Sequence, residues 1–156
     1  MNKQTTYKII AQNKKAGHDY FFEERLEAGI ELLGWEVKSL RAGKGQLTDS
    51  YVLLKNGEAW LLGAHIQPLG NVPEYLHPDP IRSRRLLLKH KELNKLIGAV
   101  ERQGYTVVAT HMYWDRHLVK VGIALAKGKK QFDKRQTLKE RDFARDKARG
   151  FKEQKS

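Results

Sequence analysis

The chain has 156 residues, 40% of them hydrophobic, and 30 Lys or Arg against 18 Asp or Glu, a net charge of +12. That length holds one domain with a real core and is too short for two independent ones, while the cationic excess favours a polyanionic partner, with RNA, DNA and anionic membrane all qualifying on charge alone. No cysteine is present, which excludes disulfides and thiolate metal sites, and no stretch has the apolar length of a signal peptide or a membrane span, so a cytoplasmic protein is expected.

In chain order, Ile9 and Ile10 start a first candidate strand. From Tyr20 to Leu32 the even positions read Tyr20, Phe22, Glu24, Leu26, Ala28, Ile30 and Leu32, against a polar odd set of Glu23, Arg25, Glu27 and Glu31 with Phe21 and Gly29. Period two with one apolar side is the pattern of a strand lying on a core. Glu24 is the exception on the apolar side, and Gly29 marks a candidate bend or bulge. Trp35–Ala42 reads as a short helix with Val37 and Leu40 inward, closed by Gly43. Leu47–Leu54 and Trp60–Ile66 flank Lys55-Asn56-Gly57-Glu58, where Asn-Gly suits a type I′ hairpin turn. The segment from Pro68 to Pro80, with four prolines, is a surface loop. Leu93, Leu96, Ile97 and Val100 fall at helical spacing, with Gly104 in place to cap the helix end. Tyr105–Trp114 and Leu118–Ala126 form a last pair of strands across Asp115-Arg116-His117. About six strands with helices at their joints predict a mainly β fold, a small closed or partly closed barrel, over residues 1–126.

From Lys127 onward the pattern changes. Residues 127–156 hold 12 Lys or Arg and 5 Asp or Glu, so +7 of the net +12 lies in this last fifth. Leu138, Phe143, Phe151 and a few alanines are too few to bury a face, so a basic tail, disordered when free, is expected. Thr137-Leu138-Lys139-Glu140 matches a capping box, and Arg141, Arg145 and Arg149 recur every four residues. A helix formed along a polyanion fits these spacings. The bland alternative is a permanently disordered solubility tail. A membrane anchor is disfavoured by the thin apolar side.

No phosphate-binding loop, dinucleotide fingerprint, zinc-protease motif or nucleophile elbow is present. The six histidines are scattered; His111 and His117 flank a turn but read more simply as unrelated surface groups. Glu23, Glu27 and Glu31 share a strand side and admit acid–base work, though Arg25 between them favours a solvated face. No catalytic residue, metal or cofactor is therefore expected. Asn13-Lys14-Lys15, Lys38/Arg41/Lys44 and Arg82-Ser83-Arg84-Arg85 are separate basic clusters. Each alone is an ordinary wet surface; with Lys120 they compose one phosphate-facing surface if the fold gathers them. Tyr20, Phe22, Trp60 and Trp114 sit in strand patterns that suit core better than stacking platforms. These residues leave a general binder of single-stranded nucleic acid open beside a more selective RNA-binding protein.

Longer motifs narrow the choice. The runs His18-Asp19-Tyr20-Phe21-Phe22-Glu23-Glu24, Glu27-Ala28-Gly29-Ile30, Gly34-Trp35-Glu36-Val37-Lys38-Ser39-Leu40-Arg41-Ala42-Gly43-Lys44 and Asp49-Ser50-Tyr51-Val52 resemble the small protein B (SsrA-binding protein) family. So do Arg85-Leu86-Leu87-Leu88, Gly104-Tyr105-Thr106-Val107-Val108, and Ala126-Lys127-Gly128-Lys129-Lys130-Gln131 with Asp133-Lys134-Arg135. The resemblance runs essentially end to end. It implies an oligonucleotide-binding (OB-type) β-barrel with two to three peripheral helices that binds the tRNA-like domain of transfer-messenger RNA. It further implies delivery of that RNA, charged with alanine and accompanied by elongation factor Tu, to stalled ribosomes, where the tail occupies the empty messenger channel past the decoding centre. A monomer bound one-to-one with RNA is expected.

By position, the resemblance implies RNA contacts at Glu27, Leu87 and Lys120. A carboxylate accepts from base amines or ribose hydroxyls, a lysine suits a phosphate, and Leu87 either packs on an unstacked base or is plain core. Lys38, Arg41 and Lys44 join the expected RNA-binding set. Lys127, Gly128, Lys129, Lys130, Phe132, Asp133, Lys134 and Arg135 are implied to engage the ribosome, with Gly128 as a hinge. The chain departs from the family pattern at Phe132, where histidine is common, at Phe143, where some members have tryptophan, and at Gly150, which replaces a bulky apolar residue.

Overall fold

The structure is a computed structural model, and it describes residues 7–129. The strands are β1 (Tyr7–Gln12), β2 (Tyr20–Ile30), β3 (Gly45–Gln46), β4 (Tyr51–Lys55), β5 (Glu58–Leu62), β6 (His65–Ile66), β7 (Arg84–Leu87), β8 (Thr106–Asp115) and β9 (Leu118–Gly128). The helices are α1 (Lys14–Asp19), α2 (Gly34–Arg41) and α3 (His90–Gln103). Strands dominate, as expected. Seven form one antiparallel sheet in the order β1-β8-β4-β5-β7-β2-β9, and β9 also pairs with β8, so six of them close into a ring with β1 added alongside β8.

Local chemistry accounts for the elements. Asn56 and Gly57 both take positive φ, which gives the β4–β5 hairpin its twist-compatible turn. Gly104 ends α3 in the left-handed region, and its N–H bonds back to the Ala99 carbonyl. Ring closure makes an inside, filled by Leu61, Leu86, Val107, Ala109, Met112, Val121, Ile123 and Leu125, with Leu40 of α2 and Leu96 of α3. Each large aliphatic side chain so buried contributes about 1.5–3 kcal/mol.

Four readings change. The apolar side of β2 is not continuous. A bulge between Phe22 and Glu24 switches which side successive residues take, so Tyr20 and Phe22 pack outside the ring with Ala16, Val108, Ala124 and Ala126, whereas Leu26, Ala28 and Ile30 face the interior. The irregularity thus falls at Glu23, not at Gly29. Asn13-Lys14-Lys15, read as a basic cluster, starts the helix α1 (Lys14–Asp19): Asn13 is its buried cap, accepting from the Ala16 N–H at 3.1 Å and donating to the Ala109 carbonyl at 3.0 Å. On α2 the buried residues are Trp35, Glu36, Ser39 and Leu40; Val37 is only half-buried.

The fourth change is electrostatic. Arg82-Ser83-Arg84-Arg85 is not a phosphate-facing cluster, because Arg84 opens β7 fully buried. Its Nε donates to Glu36 Oε2 at 2.9 Å and its Nη1 to the Ala64 carbonyl at 3.0 Å. Arg82 donates to both Glu36 oxygens at 2.7 and 2.8 Å, and the Leu33 N–H adds a bond of 2.7 Å. Burial works to raise the Glu36 pKa, but these donors outweigh it and hold the carboxyl below the ordinary value. One carboxylate pins α2 to the start of β7.

Candidate nucleic-acid interface

Register builds the site. On the outward side of the ring, Leu87 of β7 pairs with Gly29 of β2, Gly29 with Lys120 of β9, and Lys120 with Tyr113 of β8. In the next row, Glu27 of β2 pairs with Gly122 of β9, which pairs with His111 of β8. Arg25 and Ala124 follow. Glu27, Leu87 and Lys120, some 93 residues apart at the extremes, thereby share one face within two adjacent rows, neighbours lying about 5 Å apart.

The groups on this face are wired together. The Tyr113 hydroxyl donates to Glu27 Oε2, and Lys120 Nζ donates to Glu27 Oε1 at 3.2 Å while lying 3.1 Å from Asp115 Oδ2. Hydrogen bonds to Asp115 and then to Glu27 raise the Lys120 pKa, so the ammonium is charged at any physiological pH. The His111 ring stacks on Tyr113 with centroids 4.8 Å apart. Arg25 places its guanidinium 5.1 Å from the Phe22 ring centre. Leu87 is 43% exposed and is therefore surface, not core. Gly29 beneath it leaves room: an added Cβ would lie 3.3 Å from Leu87 Cβ.

Charge here is balanced rather than basic. Glu27 and Asp115 offset Lys120, and Arg25 is the remaining cation of the cluster. The arrangement offers acceptors, an apolar side chain and a shallow glycine floor, which suits hydrogen-bond reading of a nucleotide more than a grip on phosphate. His111, Tyr113, Arg25 and Gly122 were missed as members. His111 and Tyr113 face outward only because a second bulge, between Ala109 and His111, switches the sides of β8.

Other expectations fall elsewhere. Lys38, Arg41 and Lys44 are exposed on α2 and the turn after it; they make no ion pair among the described residues and no contact there joins them to Glu27. Glu23 lies in the bulge, Glu31 follows β2 and pairs with Arg85 at 3.4 Å, and the three glutamates form no common acid–base site. His117 sits in the β8–β9 turn, apart from His111. Among the described residues no group of His, Asp or Glu is placed to hold a metal ion, and no helix is long and apolar enough to cross a membrane.

The last strand runs two residues past Ala126: Lys127 pairs with Phe21 and Gly128 with Tyr20. Lys127 Nζ lies 4.7 Å from the Tyr105 ring centre, and Lys129 Nζ lies 5.3 Å from that of Phe21 while donating to the Gly17 carbonyl at 3.2 Å. Gly128, expected as a hinge, is a paired strand residue. Lys130, Phe132, Asp133, Lys134 and Arg135, with the capping box and arginine stripe beyond them, lie outside the described residues.

Comparison with known proteins shows the family. A family model described as SmpB protein matches residues 10–153. The SsrA-binding protein of Pseudomonas aeruginosa (strain LESB58) is 66% identical over 137 residues, covering 88% of this chain and 86% of the relative. That of Coxiella burnetii (strain CbuG_Q212) is 58% identical over 156 residues, covering 97% and 98%. The solved structure "tmRNA-SmpB: a journey to the center of the bacterial ribosome" holds a chain with 44% identity and a TM-score of 0.62, over 76% of this chain and 82% of that one.

Proposed function

The chain belongs to the SmpB family, and from that premise we propose that it is a non-enzymatic adaptor of trans-translation, binding transfer-messenger RNA and taking it to stalled ribosomes. Glu27, Leu87 and Lys120 contact the tRNA-like domain of that RNA from the outward face of β7, β2 and β9. Lys38, Arg41 and Lys44 neutralise phosphates alongside. Residues 1–126 act as the RNA-binding domain. The basic segment beyond the last strand, with Lys130, Phe132, Asp133, Lys134 and Arg135, enters the messenger channel and decoding centre as a helix, while Lys127, Gly128 and Lys129 at the end of β9 engage the ribosome at its root. Elongation factor Tu accompanies the alanylated RNA, and the protein works in the cytoplasm as one copy per RNA.

The observation that carries the reading is convergence. Three residues singled out on separate stretches of sequence lie in two adjacent rows of one outward sheet face, beside further hydrogen-bonding groups. Chain-long similarity to proteins named for binding SsrA supports it.

The test compares affinity for the tRNA-like domain, a homopolymer RNA and duplex DNA at matched salt, because the phosphate contribution alone scales with ionic strength. The adaptor prefers the tRNA-like domain strongly; equal affinity for all three returns the protein to the general single-stranded binders. In the same series, removing residues 130–156 leaves RNA binding largely intact and abolishes tagging on stalled ribosomes. Tagging that survives the deletion refutes the role given to the tail.

A further inference from the structure

His111 has no assigned role, yet its surroundings define its chemistry. Thr110 Oγ1 lies 3.1 Å from the Gly122 carbonyl and 2.8 Å from His111 Nδ1. A hydroxyl has one proton. The arrangement that satisfies both contacts donates that proton to the carbonyl and accepts from the imidazole, so the network assigns the hydrogen to Nδ1 and leaves the lone pair on Nε2. Nε2 has no hydrogen bond among the described residues. It is also not a buried orphan, since Ser39 Oγ is the one buried side-chain nitrogen or oxygen there without a partner. The acceptor therefore reaches solvent.

Two features hold the ring neutral and in place. An added Cβ on Gly122 would lie 2.4 Å from His111 Cε1 and 2.7 Å from Nδ1, so the imidazole occupies the space that only glycine leaves. Burial, and then the Arg25 charge, lower the pKa below the ordinary value of 6.5, with Glu27 opposing. At neutral pH the side chain is an acceptor, stacked on Tyr113, across Gly122 from Glu27.

We infer that His111 is a specificity-determining residue of the RNA-binding face, its Nε2 accepting a hydrogen bond from a donor of the bound RNA, either a ribose 2′-hydroxyl or a base N–H. The inference rests on the RNA-binding reading of this face. Phosphate carries no donor at neutral pH, so two neighbouring acceptors, Glu27 and His111, disfavour it and select the parts of a nucleotide that donate. A 2′-hydroxyl is the group by which a protein distinguishes RNA from DNA at one position.

His111→Phe keeps an aromatic ring over Gly122 and against Tyr113 but deletes both nitrogens. Its affinity for the tRNA-like domain is expected to fall about 5- to 10-fold, the range of one hydrogen bond. Single 2′-deoxy substitutions and guanosine-to-inosine substitutions in that RNA then identify the donor: one of them weakens the wild-type protein and leaves His111→Phe unaffected. His111→Gln, which retains an acceptor, recovers part of the loss. Equal affinity of His111→Phe and wild type overturns the inference. So does a loss that leaves the variant as sensitive as wild type to every RNA substitution, because a merely structural role predicts that pattern. Wild-type protein that binds duplex DNA as tightly as the RNA refutes the RNA reading of the face, and the His111 role with it, before any variant is made.

Discussion

The outward face of β2, β9 and β8 and the exposed cations of α2 divide the protein between two kinds of polar surface. On the face nearly every charge has a neighbour: Glu27 with Tyr113 and Lys120, Lys120 with Asp115, Arg25 with Phe22. On α2 and its following turn, Lys38, Arg41 and Lys44 stand in water without an ion pair among the described residues. Paired groups are pre-oriented and discriminate by hydrogen-bond geometry. Unpaired lysines attract any polyanion, over about a Debye length, and weaken with salt. A net charge of +12 therefore does not mean that the reading surface is basic. The unpaired positive charge lies elsewhere, on α2 and in the tail sequence.

The comparison breaks most severely if α2 loses its seat. Glu36→Ala leaves Arg84 buried without its carboxylate, at an expected cost of about 3–5 kcal/mol, read as a lowered midpoint in denaturant unfolding. Acid does the same by titration. The folded Glu36 pKa is depressed, so its stabilisation is present above the ordinary value of 4.5 and is lost as pH falls through the lower folded value. Unfolding in denaturant as a function of pH should show that loss in the wild type and a flatter profile in Glu36→Ala.

A smaller effect sharpens the division. Glu27→Ala removes the acceptor shared by Tyr113 and Lys120 and is expected to weaken binding of the tRNA-like domain about 10-fold. Affinity for homopolymer RNA should hold or rise, because Lys120 then keeps Asp115 as its one carboxylate partner and the face loses a negative charge. An equal loss on both RNAs would make Glu27 a structural residue. Smallest is Arg41→Ala, expected to weaken all RNAs alike by a few-fold and to reduce the slope of log affinity against log salt by about 1. Sequence-selective loss there would erase the distinction between the two surfaces.

Legibility followed the range of the interactions involved. The Asn56-Gly57 hairpin, the Gly104 cap and the periodic face of α3 were readable because each depends on residues a few positions apart. α1 and β7 were not. Asn13 caps a helix whose basic composition resembles a loop, and Arg84 is buried only because Glu36, 48 residues away, meets it. For the candidate site, the family resemblance pointed to Glu27, Leu87 and Lys120, but nothing in the sequence placed them together or added His111 and Tyr113.

The sequence by itself determined the β-rich content, the Asn56-Gly57 turn and the Gly104 cap, the uneven distribution of charge and the family. The tertiary structure decided which side each strand residue takes. A period-two pattern reports alternation but not its phase, and one extra residue in a bulge reverses the phase without disturbing the apolar count. The bulge at Glu23 separates Tyr20 and Phe22 from the interior residues of β2, and the bulge at Thr110 sends Met112 and Trp114 inward while His111 and the buried Tyr113 turn to the outer side beside Glu27. Where an extra residue is tolerated depends on the partner strand's register, which is a property of the closed ring and not of either segment alone.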